Sequence, residues 1–300
     1  MTLSVPPGHQ PGNIEWTAES SKDLEKSFVV VRRERLDERA FSEKVASGVG
    51  NGNTAGIFVH GYNYTLTEAV FRVAQLAADV PGVSVPILFS WPSAAEVAGY
   101  VADRDAVTYA RDDLAHVLGL IAGIQADEQV VLAGHSMGGW LVMETLRQLR
   151  LQGRDEVIGK FQVALAAPDI DIDVFRRQVE VVGPLTPALT ILVASDDRAL
   201  DVSMRLAGGR RRVGTADVDD PVLQEVAKRE NLRIVDISSV EPSDGTRHDR
   251  FVRFAAFQTR EMTGDGSAAG RLRDAGAFIF DAAKKSVSPF TRAGPAIAGQ

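Results

Sequence analysis

Ser136 stands in Gly134-His135-Ser136-Met137-Gly138, a Gly-x-Ser-x-Gly pattern. A serine hydroxyl becomes a useful nucleophile when a sharp turn presents it and a base takes its proton. With 27 glycines in 300 residues, chance alone yields about 0.1 matches to this pattern. The surroundings narrow it further. The apolar run Gln129-Val130-Val131-Leu132-Ala133 leads in, and a helix-like segment over 140–150 leads out. A strand-to-helix corner this tight needs small neighbours, which Gly134 and Gly138 provide. Ser136 is the candidate nucleophile. The plain alternative is a glycine-rich turn with an idle serine.

The base should be an imidazole, which titrates near neutrality and can take and return a proton. Five histidines are present: His9, His60, His116, His135 and His248. In the order expected behind such a corner, nucleophile then acid then base, only His248 lies far enough along the chain. Arg247 and Asp249 flank it. The acid must hold that imidazole in one tautomer. Asp197 follows an apolar run over 189–194 and is the first candidate; Asp196 and Asp169 are alternatives. Adjacent extended residues point opposite ways, so only one of Asp196 and Asp197 can face the base. Two backbone N–H groups should hold the developing oxyanion. Met137, just after the nucleophile, is one source. The other lies in His60-Gly61-Tyr62-Asn63, with Tyr62 favoured over Asn63. Side-chain roles for His60 and Asn63 read as structural.

These residues need a scaffold that gathers loops at one sheet edge. Strands are predicted at 56–59, 85–90, 129–133, 161–166, 189–194 and 232–237, the last of the chain. Helices are predicted at 67–79, where Val70, Val73, Ala74 and Ala77 recur at helical spacing, and as one long element over 103–123. Pro81-Gly82 stops the first, and Pro92 closes the strand before it. Strands that alternate with helices and read as unbroken apolar runs imply an α/β fold, a doubly wound, mostly parallel sheet covered on both faces. A further strand at 28–31 could sit at a sheet edge. Residues 1–26 read as a loose N-terminal arm, 27–285 as one domain, and 286–300 as a tail.

Other clusters read as structural. Asp169, Asp171 and Asp173 alternate like the opening of a calcium loop but lack its later glycine and glutamate, so helix capping is the better reading. Arg210-Arg211-Arg212 reads as a solvated loop. Tyr62, Tyr64 and Trp91 either line an acyl pocket or close the core. The net charge of −7 argues against nucleic acid as the main partner. There is no cysteine, which removes thiol catalysis and thiolate metal sites. No apolar run reaches the roughly 18 residues a membrane span needs. No secretory signal is visible, so the cytoplasm is the expected location.

Several motifs in order resemble the α/β-hydrolase superfamily, and within it a bacterial esterase- or lipase-like family of undefined function. They are Phe58-Val59-His60-Gly61-Tyr62-Asn63, Ala74-Gln75-Leu76, Phe89-Ser90-Trp91-Pro92-Ser93, the Ser136 pentapeptide, Ala166-Ala167-Pro168-Asp169-Ile170-Asp171 and Asp197-Arg198-Ala199-Leu200. The resemblance implies a Ser136, Asp197, His248 triad and hydrolysis of carboxylic esters. It implies no particular substrate.

The expected activity is therefore ester or thioester hydrolysis through an acyl-enzyme, with a small-molecule or lipid-like ester as substrate and no cofactor or metal. An acyltransferase or peptidase on the same triad, or a scaffold with a vestigial site, are the rivals. Between residues 167 and 189 there is room for one short helix, over 173–182, so a minimal cap and an open cleft are expected.

Overall fold

The computed structural model describes residues 1–16, 23–49, 53–80, 83–124, 129–243, 245–263, 278–281 and 286–287, with side chains only up to residue 256. The chain opens with a two-stranded antiparallel sheet, β1 (Thr2–Ser4) with β2 (Val29–Arg32). The strand expected at 28–31 is β2, an edge strand of this small separate sheet. Helix α1 (Glu38–Gly48) starts at Asp37, whose carboxylate caps the Ala40 amide. Then come β3 (Thr54–Val59), α2 (Leu66–Asp79) and β4 (Val83–Phe89). Helix α2 opens with a capping box, in which the Thr65 hydroxyl accepts from the Glu68 amide and Glu68 accepts from Thr65.

The long helix expected over 103–123 is two helices, α3 (Tyr100–Tyr109) and α4 (Arg111–Ile124), which meet at Ala110. The break lets Val107 and Leu114 both reach the interior. Next are β5 (Val130–His135), α5 (Met137–Leu151), the single turn α6 (Asp155–Ile158) and β6 (Phe161–Ala166). One helix, α7 (Ile172–Val182), separates β6 from β7 (Leu189–Val193). Helices α8 (Arg198–Leu206) and α9 (Pro221–Arg229) precede β8 (Leu232–Asp236), and α10 (Arg250–Thr263) follows it.

The main sheet has the order β10-β9-β8-β7-β6-β5-β3-β4. The six strands β3 to β8 are parallel; β9 (Phe278–Asp281) and β10 (Ser286–Val287) add on antiparallel beside β8. The sheet therefore continues beyond the strand expected to be its last. The remainder of the expected tail, 288–300, lies outside the described residues.

Alternation along the strands sends side chains to two cores. Ile57, Leu132, Val163 and Ile191 face α4, α5, α7 and α9. Phe58, Ala166, Leu192 and Val235 face α2 and α10. Strands β3, β5, β6, β7 and β8 contribute to both cores, which is why they read as continuous apolar runs.

Residues 1–16 are docked rather than loose. The imidazole of His9 bridges Glu15 at 2.8 Å and Asp79 at 3.0 Å, and the Gly12 amide donates to Asp79 at 2.7 Å. Leu3, Val5 and Ile14 pack against Phe28, Val70 and Phe71. A buried carboxylate at the end of α2 holds what composition alone presents as a Pro/Gly-rich arm.

Candidate active site

The corner at Ser136 is strained. Its φ of 54° and ψ of −120° place a non-glycine residue in a sparsely populated region. The conformation is held from both sides: the Ser136 amide donates to the Ala166 carbonyl at 2.9 Å, and its carbonyl accepts from Gly139 at 3.0 Å and Asp169 at 3.2 Å. The flanking glycines have steric reasons. A Cβ on Gly138 would run into the carbonyl oxygens of Val59 and His60, and one on Gly134 would lie 2.9 Å from the Gly138 oxygen. A Cβ on Gly61 would sit 3.0 Å from that of Ser136, so the loop after β3 passes directly against the serine.

Asp197 and His248 come together. The fully buried Asp197 carboxylate places Oδ2 2.6 Å from His248 Nδ1, while its Oδ1 accepts the Leu200 amide as the N-cap of α8. Asp196 turns the other way. It accepts from Arg247 at 2.7 Å and from both terminal nitrogens of Arg250. The hydrogen bonds from Arg250 hold its carboxyl below the usual range. The charges beside His248 thus clamp its loop. Arg247 ties the loop to Asp196, Asp249 accepts from the Ser243 amide at 3.1 Å, and the Arg198 amide donates to the Thr246 carbonyl at 3.0 Å. Asp169 is engaged elsewhere, by Tyr100 at 2.9 Å, by Ser203, and by Arg212 at 3.1 Å.

His135 links the corner at Ser136 to His248. Its Nε2 donates to the His248 carbonyl at 3.3 Å, and its ring lies 4.6 Å from that of His248 and 4.5 Å from Phe251. A carbonyl can only accept, so Nε2 carries the proton. Nδ1 is buried with no hydrogen-bond partner. Burial, then the neighbouring His248, hold the His135 pKa well below its ordinary value, and it stays neutral.

The loop after β3 is fixed by His60. Its Nδ1 donates to the Gly61 carbonyl at 2.9 Å, and its Nε2 accepts from the Trp91 amide at 3.2 Å. Trp91 stacks on the ring at 4.9 Å and donates from its indole to the His60 carbonyl at 2.8 Å. Desolvation keeps His60 neutral. Asn63 adopts a left-handed turn with φ of 59°, and its amide faces the buried Asp103 carboxylate at 3.5 Å. Asp103 also accepts from Ser93 and Ala94, each at 2.7 Å, binding this loop to the one after β4. Of the three aromatics left open by the sequence, Trp91 is core, while Tyr62 is half-buried and sets its ring edge-on to Tyr100 at 5.5 Å. Tyr64 is half-buried between the rings of His60 and His135.

The arginine run is not a solvated loop throughout. Arg212 is buried, bonded to Ser203 and paired with Asp169, and Arg210 pairs with Asp171 at 2.6 Å. Asp171 also caps α7 through the amides of Asp173 and Val174. Among the described residues, no group of three or more histidines and carboxylates is arranged to hold a metal ion.

A family model described as an alpha/beta hydrolase of unknown function (DUF900) matches residues 37–263. The chain belongs to this family. The match starts at the cap of α1 and ends with α10, so the DUF900 core holds every residue of the site, and the β1–β2 pair lies outside it. A candidate cell-surface hydrolase from Lactobacillus plantarum WCFS1 superposes on this DUF900 hydrolase with a TM-score of 0.46 and 10% identity, over 75% of this chain and 98% of that one. A candidate hydrolase from Agrobacterium vitis S4 gives 0.35 and 17%, over 68% and 88%. Both similarities are too low to bear on the chemistry. No curated protein matches the chain.

Proposed function

We propose that this DUF900 hydrolase cleaves carboxylic esters or thioesters, with Ser136 as nucleophile, His248 as base and Asp197 as its orienting acid. The 2.6 Å contact between Asp197 and His248 Nδ1 carries the reading. A carboxylate at Nδ1 keeps that nitrogen protonated, which leaves Nε2 bare and able to accept the serine proton. Ser136 Oγ attacks the substrate carbonyl as His248 takes its proton. The tetrahedral adduct collapses, His248 protonates the departing alkoxide or thiolate, and an acyl-serine remains. Water, deprotonated by the same imidazole, then releases the acid.

The oxyanion donors are the amides of Met137 and Tyr62. Met137 is the first residue of α5, where a helix leaves its leading N–H groups unpaired. Peptide geometry supports the Tyr62 amide. The carbonyl of the Gly61–Tyr62 bond is held by His60, and in a trans peptide the N–H points opposite to the carbonyl. Gly61 lies against Ser136, which supports the Tyr62 amide as the second donor. Losing one such donor costs about 3–4 kcal/mol in the barrier.

Hydrolysis of p-nitrophenyl esters by the purified chain tests the reading. Turnover is expected in the native protein and should vanish in Ser136→Ala; retained turnover in that variant would overturn the assignment.

A further inference from the structure

His248 is gripped at two points. Asp197 holds the ring, with its carboxylate 2.6 Å from Nδ1. His135 holds the main chain from which that ring hangs, donating from Nε2 to the His248 carbonyl at 3.3 Å. A carboxylate at Nδ1 fixes how the ring turns; an anchor on the carbonyl fixes where its loop carries it. The second anchor is the last residue of β5 and the covalent neighbour of Ser136. One peptide bond and one hydrogen bond therefore connect the serine to the His248 main chain, a far shorter path than the loop that follows β8.

The other edge of the same imidazole faces the loop after β3. A Cβ on Gly61 would lie 3.1 Å from His135 Nδ1 and 3.0 Å from the Ser136 Cβ. The ring thus stands between the Gly61 backbone and the His248 backbone, with Phe251 at 4.5 Å and Tyr64 at 6.1 Å beside it. Its Nδ1 is buried without a hydrogen-bond partner, and a bare polar atom in the interior costs free energy. An apolar ring would fill the same space without that cost. What the imidazole adds is the Nε2 donor. Burial keeps the ring neutral, so it takes no part in proton transfer.

We propose that His135 is a positioning residue for His248: its Nε2–H fixes the His248 main chain and, through it, the distance from that imidazole to Ser136. The proposal rests on the hydrolase reading above.

Kinetics on p-nitrophenyl acetate, native chain against three variants, test it. His135→Phe keeps a ring beside Phe251 but has no donor. His135→Met and His135→Gln have nearly the same shape, and only glutamine can offer an N–H in place of Nε2. His135→Phe and His135→Met should each lower kcat about 10²-fold with KM within about threefold, since a displacement of about 1 Å at the reacting groups costs that much. His135→Gln should recover kcat to within about tenfold of native. A role in packing alone would move Met and Gln alike and leave Phe, the better filler, near native. Native kcat in His135→Phe, or equal losses in Met and Gln, overturns the proposal and leaves the Ser136 assignment intact. If circular dichroism shows that the Met and Gln variants do not fold, His135→Phe alone decides. An inactive native protein sinks the hydrolase reading, and the positioning role with it.

Discussion

Asp197 and His248 are joined by a carboxylate that serves two structures at once. One oxygen caps α8 through the Leu200 amide at 3.0 Å, and the other meets the imidazole at 2.6 Å. The cap of α8 and the orientation of the His248 ring therefore depend on one side chain, and substitutions can separate them. Asparagine caps helices about as well as aspartate. In Asp197→Asn, the carboxamide oxygen can keep the cap while its NH₂ faces His248 Nδ1, which forces the proton onto Nε2. The expected result is near-native thermal stability with kcat lower by about 10⁴-fold. Asp197→Ala should lose both, with about 1 kcal/mol less stability from the cap alone. Paired urea melts and ester kinetics distinguish the two variants; an active Asp197→Asn would contradict the assigned role.

The buried pair of Asp169 and Arg212 gives a stability prediction without a tautomer. Both side chains are almost fully enclosed, and Tyr100 and Ser203 complete their hydrogen bonding. Removing one partner leaves the other charged and unpaired in the interior. Arg212→Met and Asp169→Asn should each cost about 3–5 kcal/mol. Denaturant titration checks this. A double variant, Arg212→Met/Asp169→Leu, should recover part of the loss, because no lone charge remains buried.

The sharp corner at Ser136, and a carboxylate after β7 that meets His248, were legible in the sequence, because the turn imposes glycines at fixed places and the chain offers one imidazole beyond Ser136. The sequence favours Asp197 over Asp196, but what decides the choice is not visible there. It turns on which face each side chain takes, and two arginines, Arg247 and Arg250, claim Asp196 from separate positions. The burial of Arg212 was equally hidden, since three consecutive arginines look solvated until Asp169 is known to stand beneath one of them. The core strands declared themselves by apolar runs. Helices α1, α8 and α9 are short and bury few side chains, and the docking of 1–16 depends on Asp79, distant in sequence. His135 carries no signal of its own, and its bond to the His248 carbonyl exists only once β5 and the loop after β8 are adjacent.

Two neutral histidines predict a pH dependence of folding. His135 and His60 have lowered pKa values in the folded chain, chiefly through desolvation. An unfolded histidine takes up its proton near pH 6.5. Below that pH the unfolded state therefore binds more protons than the folded one, and stability falls as pH falls, by up to about 1.4 kcal/mol per pH unit for each group. The urea midpoint should hold steady from pH 8 to about 7 and decline from about pH 6.5 to 5. In His135→Phe, which keeps an aromatic ring beside Phe251, the decline should be shallower. Asp196, held low by Arg250, loses its contribution in a separate window below the usual carboxylate range. A flat midpoint between pH 7 and 5 in the native protein would contradict the neutral, buried state of both rings.

The most direct test is covalent. A fluorophosphonate probe phosphonylates a serine only where a working base and oxyanion donors surround it. Peptide mapping of the labelled native chain should place the adduct on Ser136, with no label in Ser136→Ala and strongly slowed labelling in His248→Ala. A folded native protein that takes up no probe, or carries it on another residue, would contradict the account.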